Sequence, residues 1–226
     1  MADEQLVREI TERVLRGLRP HFGLACPVEG AVDLEHGWIP LGVSARHLHI
    51  TQEDLETLYG EGHQMTSMRP LYQEGEYAAE ETLVLIGPRM RAIGPVRILG
   101  PTREQTQVEV AYTDAIQLGI MPPVRPSGNH EDTPGIIVVG PKGVVHLRKG
   151  VVRANRHVHL GTGDAELLGV KDNALVKVRV CGDRPLIYYD VQVRVRDSFR
   201  AECHLDTDDA NAAGVTSGMK VQILID

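Results

Sequence analysis

The sequence Arg46-His47-Leu48-His49-Ile50 occurs again in similar form as Arg156-His157-Val158-His159-Leu160. A second pair of related stretches follows in the same order, at residues 109–115 and 204–210. Related segments that recur in one order along a chain indicate an internal duplication. The repeat therefore predicts two related structural halves, with an insertion in the first half.

Short β-rich runs separated by glycine and proline turns surround the repeated motifs. They include residues 81–86, 96–99, 135–139, 174–180 and 190–195. This spacing is typical of small β-barrels and disfavours a doubly wound parallel sheet. The predicted fold is mainly β with short α-helices, in two small, helix-capped β-barrel domains related by internal duplication.

Four short helices are predicted, each directly after a strand and each followed by glycine. They cover residues 51–59, 113–118, 162–168 and 206–213. We expect threonine or aspartate to cap each start by accepting a backbone N–H bond, and glycine to provide a left-handed stop. Each helix follows a histidine or a glutamate, so four strand ends present candidate ligands beside helix N-termini, which favour anions.

The paired histidines are the strongest chemical signal in the sequence. Residues i and i+2 of a strand share one face, so each His-x-His pair presents two imidazoles together. Equivalent positions of the second repeat supply one further ligand to each half. The predicted ligands are His47, His49 and Glu109 from one repeat, and His157, His159 and His204 from the other.

Three protein ligands per ion leave an open coordination position, which is typical of catalytic zinc sites. We therefore predict a dinuclear metal site, and the sequence leaves open which ligands share an ion. The structural alternative is that the duplicated histidines only donate hydrogen bonds to carbonyl groups.

The composition excludes several classes of function. Of the 226 residues, 42% are apolar and 24% are charged, as in ordinary globular proteins. Aromatic residues make up only 4% and the formal net charge is −7, which disfavours nucleic acid as a partner. We expect no membrane span and no secretory signal, and three widely spaced cysteines fit the cytoplasm.

Taken together, the motifs resemble the PduL-type phosphate propanoyltransferase family from Ile39 to the C-terminus. The stretches that carry the resemblance are residues 39–49, 79–82, 97–101, 107–109, 140–143, 156–159 and 204–208. It implies exchange of coenzyme A for inorganic phosphate on a short acyl group, propanoyl or acetyl. It also implies two zinc ions per active site and a homodimer.

The resemblance further implies substrate contacts outside the ligand set. Arg103 follows a turn six residues before Glu109, and a guanidinium holds phosphate through two parallel hydrogen bonds. The family pattern makes Arg103 the catalytic phosphate clamp and adds Ser127 as a phosphate contact. The residues it implies for coenzyme A are Ser44, Arg69, Arg97 and Asn211.

The predicted domain organisation is discontinuous. Residues 1–22 form an amphipathic helix and residues 23–36 a linker, while residues 37–46 join residues 155–226 in the first barrel and residues 47–154 form the second. In relatives from bacterial microcompartments, such a helix acts as an encapsulation peptide. The resemblance therefore adds a shell or cargo protein as a partner and the microcompartment lumen as a location.

Two other classes of function are open at this point. A dinuclear metallohydrolase would also act on thioesters, but the hydrolase pattern His-x-His-x-Asp-His is not met, since Ile50-Thr51-Gln52 follows His49. A non-catalytic metal-binding scaffold would bind the ions without transferring an acyl group.

Overall fold

The computed structural model describes residues 32–225, so the predicted amphipathic helix and most of the linker lie outside the described residues. The strands are β1 (Trp38–Ser44), β2 (His47–His49), β3 (Ser67–Pro70), β4 (Tyr77–Ile86), β5 (Ala92–Gly100), β6 (Gln107–Glu109), β7 (Val124–Arg125), β8 (Ile136–Val139), β9 (Val144–Leu147), β10 (Val151–Ala154), β11 (His157–Leu160), β12 (Leu175–Val180), β13 (Leu186–Val195), β14 (Glu202–Asp206) and β15 (Lys220–Leu224). The helices are α1 (Gln52–Tyr59), α2 (Tyr112–Leu118), α3 (Thr162–Leu168) and α4 (Thr207–Ala213).

Six strands form a closed barrel in the order β1-β14-β11-β13-β12-β15. The first strand completes it, since β1 pairs in parallel with β14, with Leu41 opposite Cys203, and antiparallel with β15, with Ile39 opposite Val221. Leu41, Cys203 and Val158 are among the buried residues that fill the barrel. The closed barrel thus joins two segments that are far apart in the sequence.

The remaining strands form one nine-stranded sheet, in the order β7-β10-β6-β2-β5-β4-β8-β9 with β3 paired to β4. This sheet curls around its own core, which includes Leu48, Ile50 and Val108. The mainly β barrel prediction is confirmed, with one difference: the second half is a curled open sheet, because its end strands β7 and β9 do not pair with each other. The domain boundaries stay a prediction.

All four helices lie where the sequence predicts them, but only two carry the expected cap. The side chains of Thr51 and Asp206 accept backbone N–H bonds at the starts of α1 and α4. At α2 the cap residue is Ala111, and its own N–H donates to Asp114 in the first turn at 3.2 Å. Glycine ends α2, α3 and α4 in the left-handed conformation, whereas Gly60 after α1 has φ 107° and ψ 156°.

The arginine of each Arg-His-x-His motif makes the same contact in both halves. Arg46 Nε donates to Asp114 Oδ1 at 2.8 Å, and Arg156 donates to both carboxylate oxygens of Asp209 at 2.7 and 2.9 Å. Each aspartate lies at the third position of the helix that follows the other repeated segment. The two ion pairs therefore fasten the paired segments of each repeat to one another.

None of the helices in the described part of the chain has the length and apolar character needed to span a bilayer.

Core packing in the closed barrel gives a first prediction. Leu205 is 1% exposed, so Leu205→Ala should lower the free energy of unfolding by about 2–5 kcal/mol through lost contacts and a residual cavity. Leu175 on β12 is 64% exposed, and Leu175→Ala should change it by no more than about 0.5 kcal/mol. Urea unfolding curves measure both values, and equal losses would contradict the assignment of Leu205 to the core.

Candidate metal centre

The strand period places the predicted ligands on the faces turned away from the two cores. Leu48 and Val108 belong to the core of the nine-stranded sheet, so the residues on either side of them point to its opposite face. The antiparallel pairing of β2 with β6 puts His47 opposite Glu109. His47, His49 and Glu109, called here the first cluster, are all buried.

The closed barrel repeats this arrangement. Val158 and Leu205 lie in the barrel core, and β11 pairs antiparallel with β14 so that His157 lies opposite His204. His157, His159 and His204, called here the second cluster, have ring centroids 4.8 Å apart in every pairing. In each cluster the three candidate ligand atoms lie within 4.8 Å of one another. The tertiary structure therefore groups the ligands by repeat.

Burial keeps three of the five cluster histidines in the neutral form that binds metals. Burial lowers the pKa of His49 to about 2, and the charges of His47 and Arg103 act in the same direction. It lowers the pKa of His159 to about 3, with a further contribution from His204, and it lowers the pKa of His157 well below its ordinary value.

The hydrogen bonds of the histidine rings show which ring nitrogens are available to bind a metal. His47 Nδ1 donates to the carbonyl of Ala45 at 2.8 Å, so Nε2 carries a lone pair. In the neutral ring, His47 Nε2 lies 3.6 Å from Glu109 Oε2, so two acceptor atoms face each other across a distance that a cation between them would stabilise. Zinc bonds of about 2.0–2.2 Å place neighbouring ligand atoms of a tetrahedron roughly 3.3–3.6 Å apart.

The structural alternative for the histidines accounts for only part of these contacts. His157 Nδ1 donates to the carbonyl of Asn155 at 2.8 Å, as His47 does to that of Ala45. The second histidine of each pair differs, because the Nδ1 atoms of His49 and His159 are buried and have no hydrogen-bond partner among residues 32–225. Two nitrogens with one oxygen, and three nitrogens, are donor sets that suit zinc.

The predicted phosphate clamp lies beside the first cluster. The backbone N–H of Arg103 donates to the carbonyl of Ile50, next to His49, at 2.9 Å. Its guanidinium contacts Glu76 Oε1 at 3.1 Å and Ser127 Oγ at 3.3 Å. The structure therefore brings Arg103 and Ser127 together.

Gln107 joins these groups to the first cluster, and the sequence analysis missed it. Its side-chain amide donates to Glu109 Oε1 at 2.6 Å and to Ser127 Oγ at 2.9 Å. Its carbonyl oxygen accepts from Gly128 N at 2.7 Å and from the His130 ring at 3.1 Å. The signal that could have found it is its position two residues before Glu109, on the same face of β6.

A cavity of about 360 Å³ opens next to this network. Its lining residues are Arg103, Glu104, Gln105, Gln107, Gly128 and His130. The cavity has the size of a small-ligand site, and its wall includes the predicted phosphate clamp.

A second arginine near the clusters was also missed. Arg194 lies opposite His159 in the pairing of β11 with β13, and its guanidinium donates to Asn155 Oδ1 at 2.7 Å. Burial lowers the pKa of Arg194, and the negative charge of Glu109 in the first cluster opposes that shift. Arg194 is therefore within electrostatic range of both clusters.

Two of the four residues predicted to contact coenzyme A lie close to the first cluster. Ser44 Oγ lies 3.5 Å from His47 Nδ1, and Arg97 lies opposite His47 in the pairing of β2 with β5. Arg69 and Asn211 are exposed, and within residues 32–225 no hydrogen bond or ion pair links either side chain to a cluster. Their roles stay predictions.

Two matched three-ligand clusters, one on each sheet, define a duplicated mainly β protein with a candidate dinuclear centre. The family model for phosphate propanoyltransferase matches residues 40–216. A phosphate propanoyltransferase of Thermotoga maritima is 53% identical over 216 residues, which cover 95% of this chain and 99% of that protein. That of Lachnoclostridium phytofermentans is 49% identical over 82% of this chain and 87% of that protein. That of Listeria monocytogenes is 39% identical over 97% of this chain and 93% of that protein. The chain belongs to the phosphate propanoyltransferase family and is an acyltransferase.

The clusters predict the metal content of the protein. Purified wild-type chain should hold two zinc ions, measured by plasma mass spectrometry against protein concentration. His47→Ala and His157→Ala should each reduce the content to one ion, because each removes one ligand from a different cluster. Loss of both ions in each variant would contradict the assignment of the clusters to separate ions.

Proposed function

We propose that this chain catalyses the reversible transfer of a short acyl group, propanoyl or acetyl, between coenzyme A and inorganic phosphate at a dinuclear zinc site. Membership in the phosphate propanoyltransferase family supports phosphate acyltransferase activity. The observation that carries the zinc assignment is the pair of three-ligand clusters, of which the first is fully buried and lies beside Arg103.

Arg103 and Ser127 form the phosphate-binding part of the proposed site. Ser127 Oγ accepts hydrogen bonds from both Gln107 and Arg103, so its own hydroxyl proton is left to donate to an anion. The Arg103 guanidinium carries five N–H donors, of which Glu76 and Ser127 occupy two. The remaining donors serve a phosphate in the adjoining cavity.

Phosphate is already ionised at neutral pH, so the protein has to position it more than to deprotonate it. A phosphate oxygen forms the new bond to the thioester carbonyl carbon, the carbon–sulfur bond breaks, and coenzyme A leaves as its thiolate. When bound, zinc supplies Lewis-acid polarisation of the carbonyl and an affinity for the soft sulfur. Arg103 and Ser127 hold the phosphate near the carbonyl carbon, which lowers the entropic cost of attack.

This reaction requires no covalent acyl-enzyme. Cys203 on β14 is fully buried in the barrel core, and burial raises the pKa of its thiol far above neutrality. A buried, protonated thiol is a poor nucleophile. We therefore expect direct transfer in a ternary complex.

Further assignments from the resemblance are part of the proposal. The protein is proposed to form a homodimer and to bind coenzyme A through Ser44, Arg69, Arg97 and Asn211. It is proposed to be cytoplasmic, or to be encapsulated in a bacterial microcompartment through residues 1–22.

Phosphate dependence of thiol release tests the proposed reaction. With propanoyl-CoA as substrate, wild-type protein should release thiol only when inorganic phosphate is present, and His157→Ala should lose both an ion and the activity. Thiol release without phosphate would favour a metallohydrolase, and bound metal with no thiol release would favour a scaffold. Full activity of His157→Ala would overturn the metal assignment.

Replacement of Arg103 tests the phosphate clamp. Arg103→Ala should keep both ions and lower kcat/KM for phosphate by about 10²-fold or more, since it removes the charged hydrogen-bond donors that hold the phosphate in position for attack. Arg103→Lys should recover only part of this loss, because an ammonium lacks the planar pair of donors. Arg184→Ala, on an exposed loop of the closed barrel, is the matched control and should leave the kinetics unchanged.

A further inference from the structure

Glu202 is a buried carboxylate that the proposed reaction does not use. It begins β14, two residues before His204, and the pairing with β11 puts it opposite His159. Residues two apart share a strand face, so Glu202 lies on the same face as the second cluster. Its side chain belongs to a residue only 8% exposed.

The Glu202 carboxylate forms a hydrogen bond with the His204 ring. Glu202 Oε2 lies 2.7 Å from His204 Nε2, and the same oxygen accepts from the side-chain amide of Gln73 at 3.1 Å. A carboxylate only accepts, so His204 Nε2 donates and Nδ1 keeps the lone pair. The geometry therefore fixes which nitrogen of His204 is left for an ion.

The barrel also makes room for this carboxylate. Gly42 on β1 lies opposite His204 in the parallel pairing of β1 with β14. A methyl group on Gly42 would lie 2.6 Å from Glu202 Oε1 and 3.4 Å from the His204 ring. Glycine at this position thus leaves the space that Glu202 needs to reach His204.

The first half has a residue of opposite polarity at the equivalent position. Gln107 lies two residues before Glu109 and opposite His49, as Glu202 lies two residues before His204 and opposite His159. Gln107 donates to Glu109 at 2.6 Å, whereas Glu202 accepts from His204 at 2.7 Å. In each half an orienting side chain is matched to its ligand, a donor for the carboxylate and an acceptor for the imidazole.

We infer that Glu202 is the positioning residue of the second cluster: it holds His204 by Nε2 and gives that cluster the carboxylate that its three imidazoles lack. This inference rests on the proposed dinuclear site. With Glu202 included, each half has one carboxylate, as a ligand in the first cluster and as a hydrogen-bond acceptor in the second. A carboxylate on the outer nitrogen of a ligating histidine fixes its tautomer and raises its basicity.

The test is selective loss of one ion. Apparent zinc affinities are measured by competition with a chromophoric chelator on the full chain, for wild type and for Glu202→Gln. Loss of such an outer partner typically weakens metal binding about 10–100-fold. We expect the affinity for one of the two zinc ions to fall by that factor in Glu202→Gln, while the affinity for the other ion stays at its wild-type value. Two ions held as tightly by Glu202→Gln as by wild type would overturn the inference.

A matched control separates this effect from the general cost of altering a buried carboxylate. Glu81 is also buried and also contacts a histidine, His63 Nε2, at 2.9 Å, but it lies outside both clusters. Glu81→Gln should keep both zinc affinities even where it lowers the melting temperature. Gly42→Ala should also disturb the contact between Glu202 and His204, because the added methyl group occupies the space of the Glu202 carboxylate. It should lower the affinity for the same zinc ion as Glu202→Gln does.

A double variant distinguishes a positioning residue from a ligand. If Glu202 acts through His204, then adding Glu202→Gln to His204→Ala causes no further loss of zinc affinity. A further loss would show that Glu202 binds the ion itself and would overturn the positioning role. Failure of the proposed dinuclear site is distinguished by the wild-type measurement alone. If wild-type protein binds no zinc, the proposed site is wrong, whatever the variants show.

Discussion

Side chains alternate between the two faces of a β-strand, and the candidate site depends on that alternation in two pairs of short strands. In β2 and β6, Leu48 and Val108 fill one core while His47 and Glu109 turn away from it. In β11 and β14 the same period separates core residues from imidazoles. One hydrophobic requirement thus aligns both the packing of each half and its ligands, and a shift of register by one residue would exchange the two sets.

Burial then determines how the polar groups must be arranged. A buried polar atom without a partner costs about 1–3 kcal/mol, so most cluster atoms are paired. Gln107 uses its amide on Glu109 and Ser127, and Glu202 accepts from His204 and Gln73. These bonds link the ligands to the loops around them, including the loop of Ser127, whose hydroxyl oxygen also accepts from Arg103. Within residues 32–225 the exceptions are the Nδ1 atoms of His49 and His159, which are buried without a hydrogen-bond partner.

The sequence predicted much of the fold because its signals are local. The β-rich runs, the four helices and the duplicated motifs all appear in the structure. Two helix caps were wrong, since Asp114 and its counterpart in α3 reach back to the cap from the first turn. The open edge of the second sheet was also missed, because closure depends on which distant strands pair, and no local pattern records that.

The sequence by itself determined the donor set of the site: the repeated His-x-His pairs and their third partners follow from strand period and duplication. Only the tertiary structure decided which donors meet, because the pairing of β2 with β6 and of β11 with β14 joins segments distant along the chain. It also brought Arg194 near both clusters and left space at Gly42 for Glu202. Those contacts arise from packing between strands that are distant in the sequence, and the spacing of residues along the chain does not determine which strands become neighbours.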